Sequence, residues 1–434
     1  MKRLFMQDLI DWKKSEGRMP LMVYGARQVG KSTTIYEFGK THYSNVALFN
    51  FEHNKPLQSI FEKDLDPKRI IPELEALAGE TISKGTTLVF FDEIQECPKA
   101  ITSLKYFCEK APEYHVIAAG SLLGVTISRK KDGEGTSFPV GKVNLLTVYP
   151  MTFLEFLMEI NPMMIDRIKE CFTADEAMPE ALHSKALELY RIYLFTGGMP
   201  KAVSEYSQGK DHDFVRFAQN EILSMYHSDM GKYSTRSELI KIEEVYGSIP
   251  AQLAKENKKF QYSMIKSGAR ASTYETGLHW LTSAGLVIKC HKVREGKYPL
   301  APFVDMTAYK IYMNDVGLLN AKSSVARNRI LSDSISGEVK GSMTENYVAQ
   351  ELAAKGSTLY YWESDGRAEV DFVLQLGDRT VPIEVKSADN TQSKSLKVYA
   401  SRYGPEYSIR ISAKNFGFEN KIKSVPLYAV WCIE

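Results

Sequence analysis

The sequence predicts an α/β protein of several domains, and three observations carry that prediction. Near the N-terminus a short apolar strand runs into a glycine-punctuated loop and then helix-compatible sequence, "LMVYGARQVGKSTTIYEF". Further short, apolar strands recur up to residue 150 with helix-length segments between them, the rhythm of a parallel sheet covered on both faces. Near the C-terminus, "EVDFVLQLGDRTVPIEVKS" alternates apolar and charged residues around a Gly377-Asp378 pair, which is hairpin chemistry.

A chain of 434 residues is too long for one ordinary core, and 44% apolar with 25% charged residues is a globular composition. The N-terminal "MKRLFMQDLIDWKKSEG" has a broken apolar stretch ending in charge, so it reads as an amphipathic helix and not as a signal peptide. No apolar run approaches the ~18–20 residues that cross a bilayer. The five cysteines, Cys97, Cys108, Cys171, Cys290 and Cys432, show no paired metal spacing, and their odd number suits a reducing compartment. A cytoplasmic protein without membrane contact is expected.

The first motif is Gly25-x4-Gly30-Lys31-Ser32, preceded by the strand Leu21 to Tyr24, which is the Walker A context. The backbone N–H groups of Gly25, Ala26, Arg27, Gln28, Val29, Gly30, Lys31, Ser32 and Thr33, with the helix start behind them, would cradle the phosphates of ATP. Lys31 would reach the β- and γ-phosphates, and the Ser32 hydroxyl would ligate Mg²⁺. The second motif is the strand Leu88 to Phe91 running into Asp92-Glu93. Asp92 would hold Mg²⁺ through water, and Glu93 would polarise the attacking water. A strand at 45–52 lies between these motifs, and another at 114–121 follows a helix-like stretch and ends in Ser121. That is the build of the AAA+ branch of P-loop ATPases, with Ser121 as a γ-phosphate sensor. "KVNLLTVYP" (142–150) supplies a fifth strand, and the helical sequence to about residue 235 reads as a lid.

The segment 236–330 holds a basic stretch, with nine Lys/Arg against three Glu between residues 251 and 300. Its helix-turn-helix rhythm and two short strands, with "REGKY" as a turn tip, predict a winged-helix-like module. Lys258, Lys259, Lys266, Arg270, Lys292, Arg294 and Lys297 could neutralise DNA or RNA phosphates without regard to sequence.

From residue 331 the order reads helix, three strands, helix, strand. Val370, Phe372, Leu374 and Leu376 share one strand face, opposite Glu369 and Asp371. In the next strand Glu384 and Lys386 share a face. With Glu345 on the preceding helix, this is the Glu, Asp, Glu-x-Lys pattern of PD-(D/E)XK nucleases. Asp371 and Glu384 would bind Mg²⁺ or Mn²⁺, Glu345 would bind a second ion or position Lys386, and Lys386 would orient or deprotonate water.

Taken together, "GARQVGKST", "FFDEIQECP", "AAGSLLG", "YPMTFLEFL", "TGGMPKAV", "GSMTENYVAQEL", "EVDFVLQL" and "IEVKS" occur in one order across nearly the whole chain. In this the chain resembles bacterial and archaeal AAA-superfamily ATPases that carry a C-terminal nuclease-like domain. The resemblance implies an ATPase core at 1–150, a helical lid at 151–235, a winged-helix-like and linker region at 236–330, and a nuclease-like domain at 331–434. It also implies an ATP-hydrolysing enzyme whose partners are ATP and DNA or RNA, with room for further copies of the chain. Relatives often carry Gly-Arg before the fifth strand where this chain has Gly141-Lys142, so an arginine finger there is not carried over. Arg129 is a nearby substitute, and Lys201 is a candidate second phosphate sensor. The competing reading is an ATP-dependent switch or scaffold whose C-terminal domain binds without cutting.

Overall fold

The computed structural model of the chain describes residues 1–128, 138–364, 366, 368–387 and 393–434. They form two compact units, an N-terminal one of Lys2–Tyr149 with Ser283–Gly285 and a C-terminal one of Pro150–Thr282 with Leu286–Glu434. Among the described residues no helix is long and apolar enough to cross a membrane, and the five cysteines are free thiols.

The N-terminal unit opens with α1 (Phe5–Lys14), an amphipathic helix that buries Phe5, Leu9 and Trp12 at helical spacing. Five strands follow: β1 (Leu21–Tyr24), β2 (Asn45–Asn50), β3 (Thr87–Asp92), β4 (His115–Gly120) and β5 (Asn144–Thr147). They form one sheet in the order β2-β3-β4-β1-β5, with parallel pairing throughout. Helices such as α2 (Lys31–His42) and α3 (Pro98–Lys110) cross between them. Every residue of β3 and β4 is buried, as a central parallel strand covered on both faces must be. Beside β3, Phe91 packs edge-on against Phe51, Phe61 and Phe107, with ring centroids 5.7, 5.8 and 6.2 Å away. The strand order places β4 between the two motif-bearing strands β1 and β3, so Ser121 leaves the sheet between the glycine loop and Asp92-Glu93.

In the C-terminal unit, α4 (Phe153–Ile160), α5 (Glu180–Thr196), α6 (His212–Lys232), α7 (Arg236–Leu253) and α8 (Ala271–Ser283) precede an eight-stranded mixed sheet. Its strands are β6 (Val287–Val293), β7 (Val304–Met313), β8 (Tyr360–Ser364), β9 (Ala368–Leu376), β10 (Arg379–Val385), β11 (Ser408–Ser412), β12 (Gly417–Glu419) and β13 (Ile422–Pro426). The order is β12-β13-β11-β10-β9-β8-β6-β7. β9 and β10 pair antiparallel with Leu376 opposite Arg379, which leaves Gly377-Asp378 as a two-residue turn. Between β7 and β8 runs α9 (Gly337–Ala354), and between β10 and β11 runs α10 (Lys394–Tyr403).

The two strands expected to form a small wing do pair with each other, but not as a separate wing. β6 also pairs with β8, in parallel, and so joins the large sheet. The connection at 294–303, which begins with the expected wing tip "REGKY", is held down. The Gly296 carbonyl accepts hydrogen bonds from the Tyr399 hydroxyl at 2.8 Å and the Thr380 hydroxyl at 3.2 Å. A Cβ on Gly296 would lie 2.2 Å from that hydroxyl oxygen, so glycine permits the approach.

The helix α9 reads as polar yet is buried from Ser342 to Ala353. Its polar side chains are matched to partners inside the unit. Asn346 bonds both backbone groups of Met313, Gln350 accepts from the Val316 N–H, and Glu351 accepts from the Phe153 N–H at 2.8 Å. Phe153 begins α4, where Thr152 and Glu155 form a reciprocal capping box.

Candidate functional site

At the C-terminal edge of the N-terminal sheet, the loop from Gly25 to Gly30 turns β1 into α2. Gly25 has φ 150°, and a Cβ there would sit 2.0 Å from the Val148 carbonyl oxygen, so no other residue fits. Gln28 (φ 65°) and Gly30 (φ 92°) complete the left-handed turns that start the helix. Ala26 and Val29 are buried, Arg27 pairs with Glu52 at 3.3 Å, and Thr33 is exposed. Lys31, the first helical residue, is buried and donates to the carbonyls of Gly25 at 2.9 Å and Ala26 at 2.8 Å. Burial pulls its pKa down to about 8; Glu93 and Asp92 act the other way, and Arg27 adds to the depression.

The Ser32 hydroxyl donates to Asp92 Oδ1 at 2.8 Å, and the Asn50 amide donates to Asp92 Oδ2 at 3.1 Å. Asn50 and Asp92 are register partners at the ends of β2 and β3. Glu93 then leaves the strand through a left-handed conformation (φ 50°). Its carboxylate accepts from Gln95, and from the Ser121 hydroxyl at 3.4 Å. Burial raises the Glu93 pKa, and the Gln95 hydrogen bond opposes the rise. Lys31, Ser32, Asp92, Glu93 and Ser121 thus converge on one edge of one sheet. Of the other nucleotide-site candidates, Arg129 lies outside the described residues. Lys201 is exposed and pairs with Glu221 at 2.5 Å.

A second convergence lies in the C-terminal unit. A cavity of about 240 Å³ is lined by Glu345, Glu369, Asp371, Glu384, Val385 and Lys386, together with Lys258 and Gly341. α9 supplies Glu345, β9 supplies Glu369 and Asp371, β10 supplies Glu384, and Lys386 follows it. Asp371 Oδ2 accepts the Val385 N–H at 2.7 Å, which ties the two strands together beyond the point where their ladder ends. Lys386 reaches Glu384 Oε1 at 2.9 Å, while Glu384 Oε2 is buried and has no hydrogen-bond partner among the described residues.

Two further lysines enter this site. Lys310, on β7 and 1% exposed, contacts Glu345 Oε1 at 3.0 Å, Glu369 Oε1 at 2.5 Å and Asp371 Oδ1 at 4.0 Å. Lys258 pairs with Glu345 Oε2, and the Tyr312 hydroxyl also donates to Glu345 Oε1. Burial alone would raise the Glu345 pKa, but Lys310 and Lys258 outweigh it and hold this carboxyl below its ordinary range. Asp371 shifts the opposite way, raised by burial and by the Glu345 charge. Of the seven cations expected to face nucleic-acid phosphates, Lys258 is therefore turned inward. Lys292 is paired with Glu363 at 3.0 Å and Lys297 with Glu295 at 2.5 Å. Lys266, Arg270 and Arg294 are exposed, and Lys259 is half-buried.

Residues 17–157 match the family model of an AAA domain. The N-terminal unit is an AAA-type P-loop domain. Residues 187–329 and 340–430 match two domains of unknown function, DUF8612 and DUF4143. Comparison with curated proteins finds no match. Among solved structures the chain is similar to the Walker-type ATPase PABY2304 of Pyrococcus abyssi, at 15% identity and a TM-score of 0.43, over 74% of this chain and 95% of that one. It is also similar to the Aeropyrum pernix ORC1 protein in complex with DNA, at 12% identity and a TM-score of 0.28, over 76% of this chain and 92% of that one. At these values neither likeness bears on function.

Within the AAA domain, sequence reasoning missed Asn50 and Gln95, which hold Asp92 and Glu93. The signal for Asn50 was weak: a polar residue ending an apolar strand, whose neighbour is known only once the strand order is known. Lys310 and Lys258 were missed as members of the carboxylate cluster. Lys310 sits alone among apolar and aromatic residues in "AYKIYM", an unusual place for an ammonium unless it is paired.

Proposed function

We propose that the AAA domain binds ATP with Mg²⁺ at residues 25–33 and hydrolyses it. The observation that carries this reading is the Ser32–Asp92 contact lying between the buried Lys31 and the Glu93–Ser121 pair. Ser32 and Asp92 are oxygen donors facing each other, which suits a hydrated Mg²⁺. Ser32 and Asp92 would hold the Mg²⁺, which would offset phosphate charge when bound. The chain's own residues do the rest. Lys31 exchanges its two loop carbonyls for phosphate oxygens. Asn50 orients Asp92. Glu93, held by Gln95, accepts a proton from the attacking water, and its raised pKa favours that acceptance. Ser121, bonded to Glu93, would register the γ-phosphate.

Lys31→Ala should abolish binding of a fluorescent ATP analogue. Glu93→Gln should retain binding and lower phosphate release by roughly 10²–10⁴-fold, the usual range for losing a general base. Unimpaired release by Glu93→Gln would remove Glu93 from the mechanism.

For the C-terminal unit we propose a PD-(D/E)XK-like domain acting on nucleic acid, with residues 151–235 as a helical lid; within 236–330 the strands β6 and β7 belong to the large sheet, so only the helices there remain of the winged-helix-like expectation. The partnerless Glu384 Oε2, on the side chain that also meets Lys386, favours this reading, because a buried carboxylate oxygen is costly unless a cation reaches it. A divalent ion held by Asp371 and Glu384 would polarise a phosphodiester, and Lys386 would orient the water. Lys259, Lys266, Arg270 and Arg294 remain as cations for the phosphate backbone. The competing switch or scaffold reading draws on Lys310 and Lys258, which already neutralise much of the cluster. Incubating the purified protein with single- and double-stranded DNA and RNA, with Mg²⁺ or Mn²⁺, separates the two. Cleavage lost in Asp371→Asn supports the nuclease reading, and its absence in all arms supports the scaffold.

A further inference from the structure

Glu345 already takes three donors, two of them ammonium groups. One oxygen receives Lys310 at 3.0 Å and the Tyr312 hydroxyl, and the other receives Lys258. Glu345 is 3% exposed and Lys310 is 1% exposed. A divalent ion on Glu345 would lie beside two ammonium groups already in contact with it, and like charges repel strongly in a buried site. Asp371 and Glu384 differ in kind. Asp371 Oδ1 has its nearest ammonium, Lys310, at 4.0 Å, outside hydrogen-bond range. Glu384 Oε2 is buried and, among the described residues, has no hydrogen-bond partner.

We propose that Lys258 and Lys310 hold the place of a second divalent ion, so that the cavity takes a single ion on Asp371 and Glu384. Glu345 is then a positioning residue that anchors two ammonium groups, and not a metal ligand. Lys258 is the member of this pair that lines the cavity. Its 16% exposed side chain presents positive charge where a substrate phosphate would enter. Lys310 lies behind it and binds Glu345 to Glu369, so the arrangement is held by β7 and α9 together. Fixed lysine charge in place of a second ion makes phosphate binding less dependent on divalent-ion concentration. The inference rests on the nucleic-acid reading of this domain.

The test is titration of the full-length protein with Mn²⁺ in the absence of nucleotide, read by electron paramagnetic resonance. One equivalent is expected at this site, lost in Asp371→Asn and in Glu384→Gln. Two equivalents, or an exchange-coupled Mn²⁺ pair, would overturn the place-holding role while leaving the nuclease-like reading intact. No Mn²⁺ sensitive to Asp371→Asn would overturn both. Lys258→Met provides a second arm that leaves Lys310 to neutralise Glu345, with circular dichroism to verify folding. Its affinity for an oligonucleotide should fall about tenfold or more while the Asp371-dependent Mn²⁺ equivalent is retained. Unchanged oligonucleotide affinity, or loss of that equivalent, would overturn the role given to Lys258.

Discussion

Single residues in the AAA domain are constrained by geometry as much as by chemistry. Gly25 faces the Val148 carbonyl so closely that even a methyl group must push the loop away. We expect Gly25→Ala to weaken nucleotide binding by at least an order of magnitude, because the misplaced loop no longer aims its N–H groups at the phosphates. Isothermal titration with ATP and Mg²⁺ measures this, and wild-type affinity would show that the loop has more freedom than its backbone suggests. Lys31 is held in a less obvious way. Its ammonium donates to two loop carbonyls, and burial brings its pKa down to about 8. Phosphate binding should raise that value again. Nucleotide affinity should therefore fall as pH rises from about 7 to 9, and a flat profile would contradict the burial of this ammonium.

At the scale of elements, the C-terminal unit depends on α9, whose buried polar side chains join separate parts of the chain. Glu351 shows how this works. Burial, with a smaller contribution from Glu155, raises its pKa to about 8, although the Phe153 N–H bond opposes the rise. The Tyr193 hydroxyl beside it also opposes the rise. The folded value lies above the ordinary 4.5, so the folded state holds the extra proton. Glu351 therefore stabilises fully below about pH 4.5, and this contribution is lost as pH rises through about 8. Glu351→Gln keeps an oxygen for the Phe153 N–H and cannot titrate. The melting temperature of this variant should fall less steeply than wild type between pH 5 and 8.5. Asp315, raised by burial to about 6, acts in the same direction in both proteins, so the difference between them isolates Glu351. Equal slopes would mean that Glu351 is ionised in the fold.

For the whole molecule, the two candidate sites lie in separate compact units, each with its own sheet. Chemistry at one should survive loss of the other. Asp371→Asn and Lys386→Ala should leave basal ATP hydrolysis within about twofold of wild type, and Lys31→Ala should leave nucleotide-free Mn²⁺ binding at Asp371 intact. Steady-state phosphate release and the Mn²⁺ titration report these directly. A large drop in ATPase rate in Asp371→Asn would show that the sites share one catalytic cycle.

Much of the N-terminal sheet was legible because its signals are local. A strand, a glycine loop with Lys-Ser, and a second strand ending in Asp-Glu each lie within about a dozen residues, and parallel strands announce themselves as short apolar runs. The β9–β10 hairpin was legible for the same reason, through alternation about Gly377-Asp378. Other features needed the tertiary structure because their cause is distant in sequence. Strand order alone brings Asn50 to Asp92 and Ser121 to Glu93. Pairing of β6 with β8 draws an expected wing into the large sheet. The polar sequence of α9 conceals a helix buried from Ser342 to Ala353, since Glu345, Asn346, Gln350 and Glu351 meet partners far along the chain. The charge of the carboxylate cluster was decided in the same way. Its acids could be read from strand alternation, but Lys258 and Lys310 reach Glu345 from 87 and 35 residues away. Sequence alone thus determined where acids could gather, and only folding determined which cations meet them, because a buried charge must be matched in space wherever its partner lies along the chain.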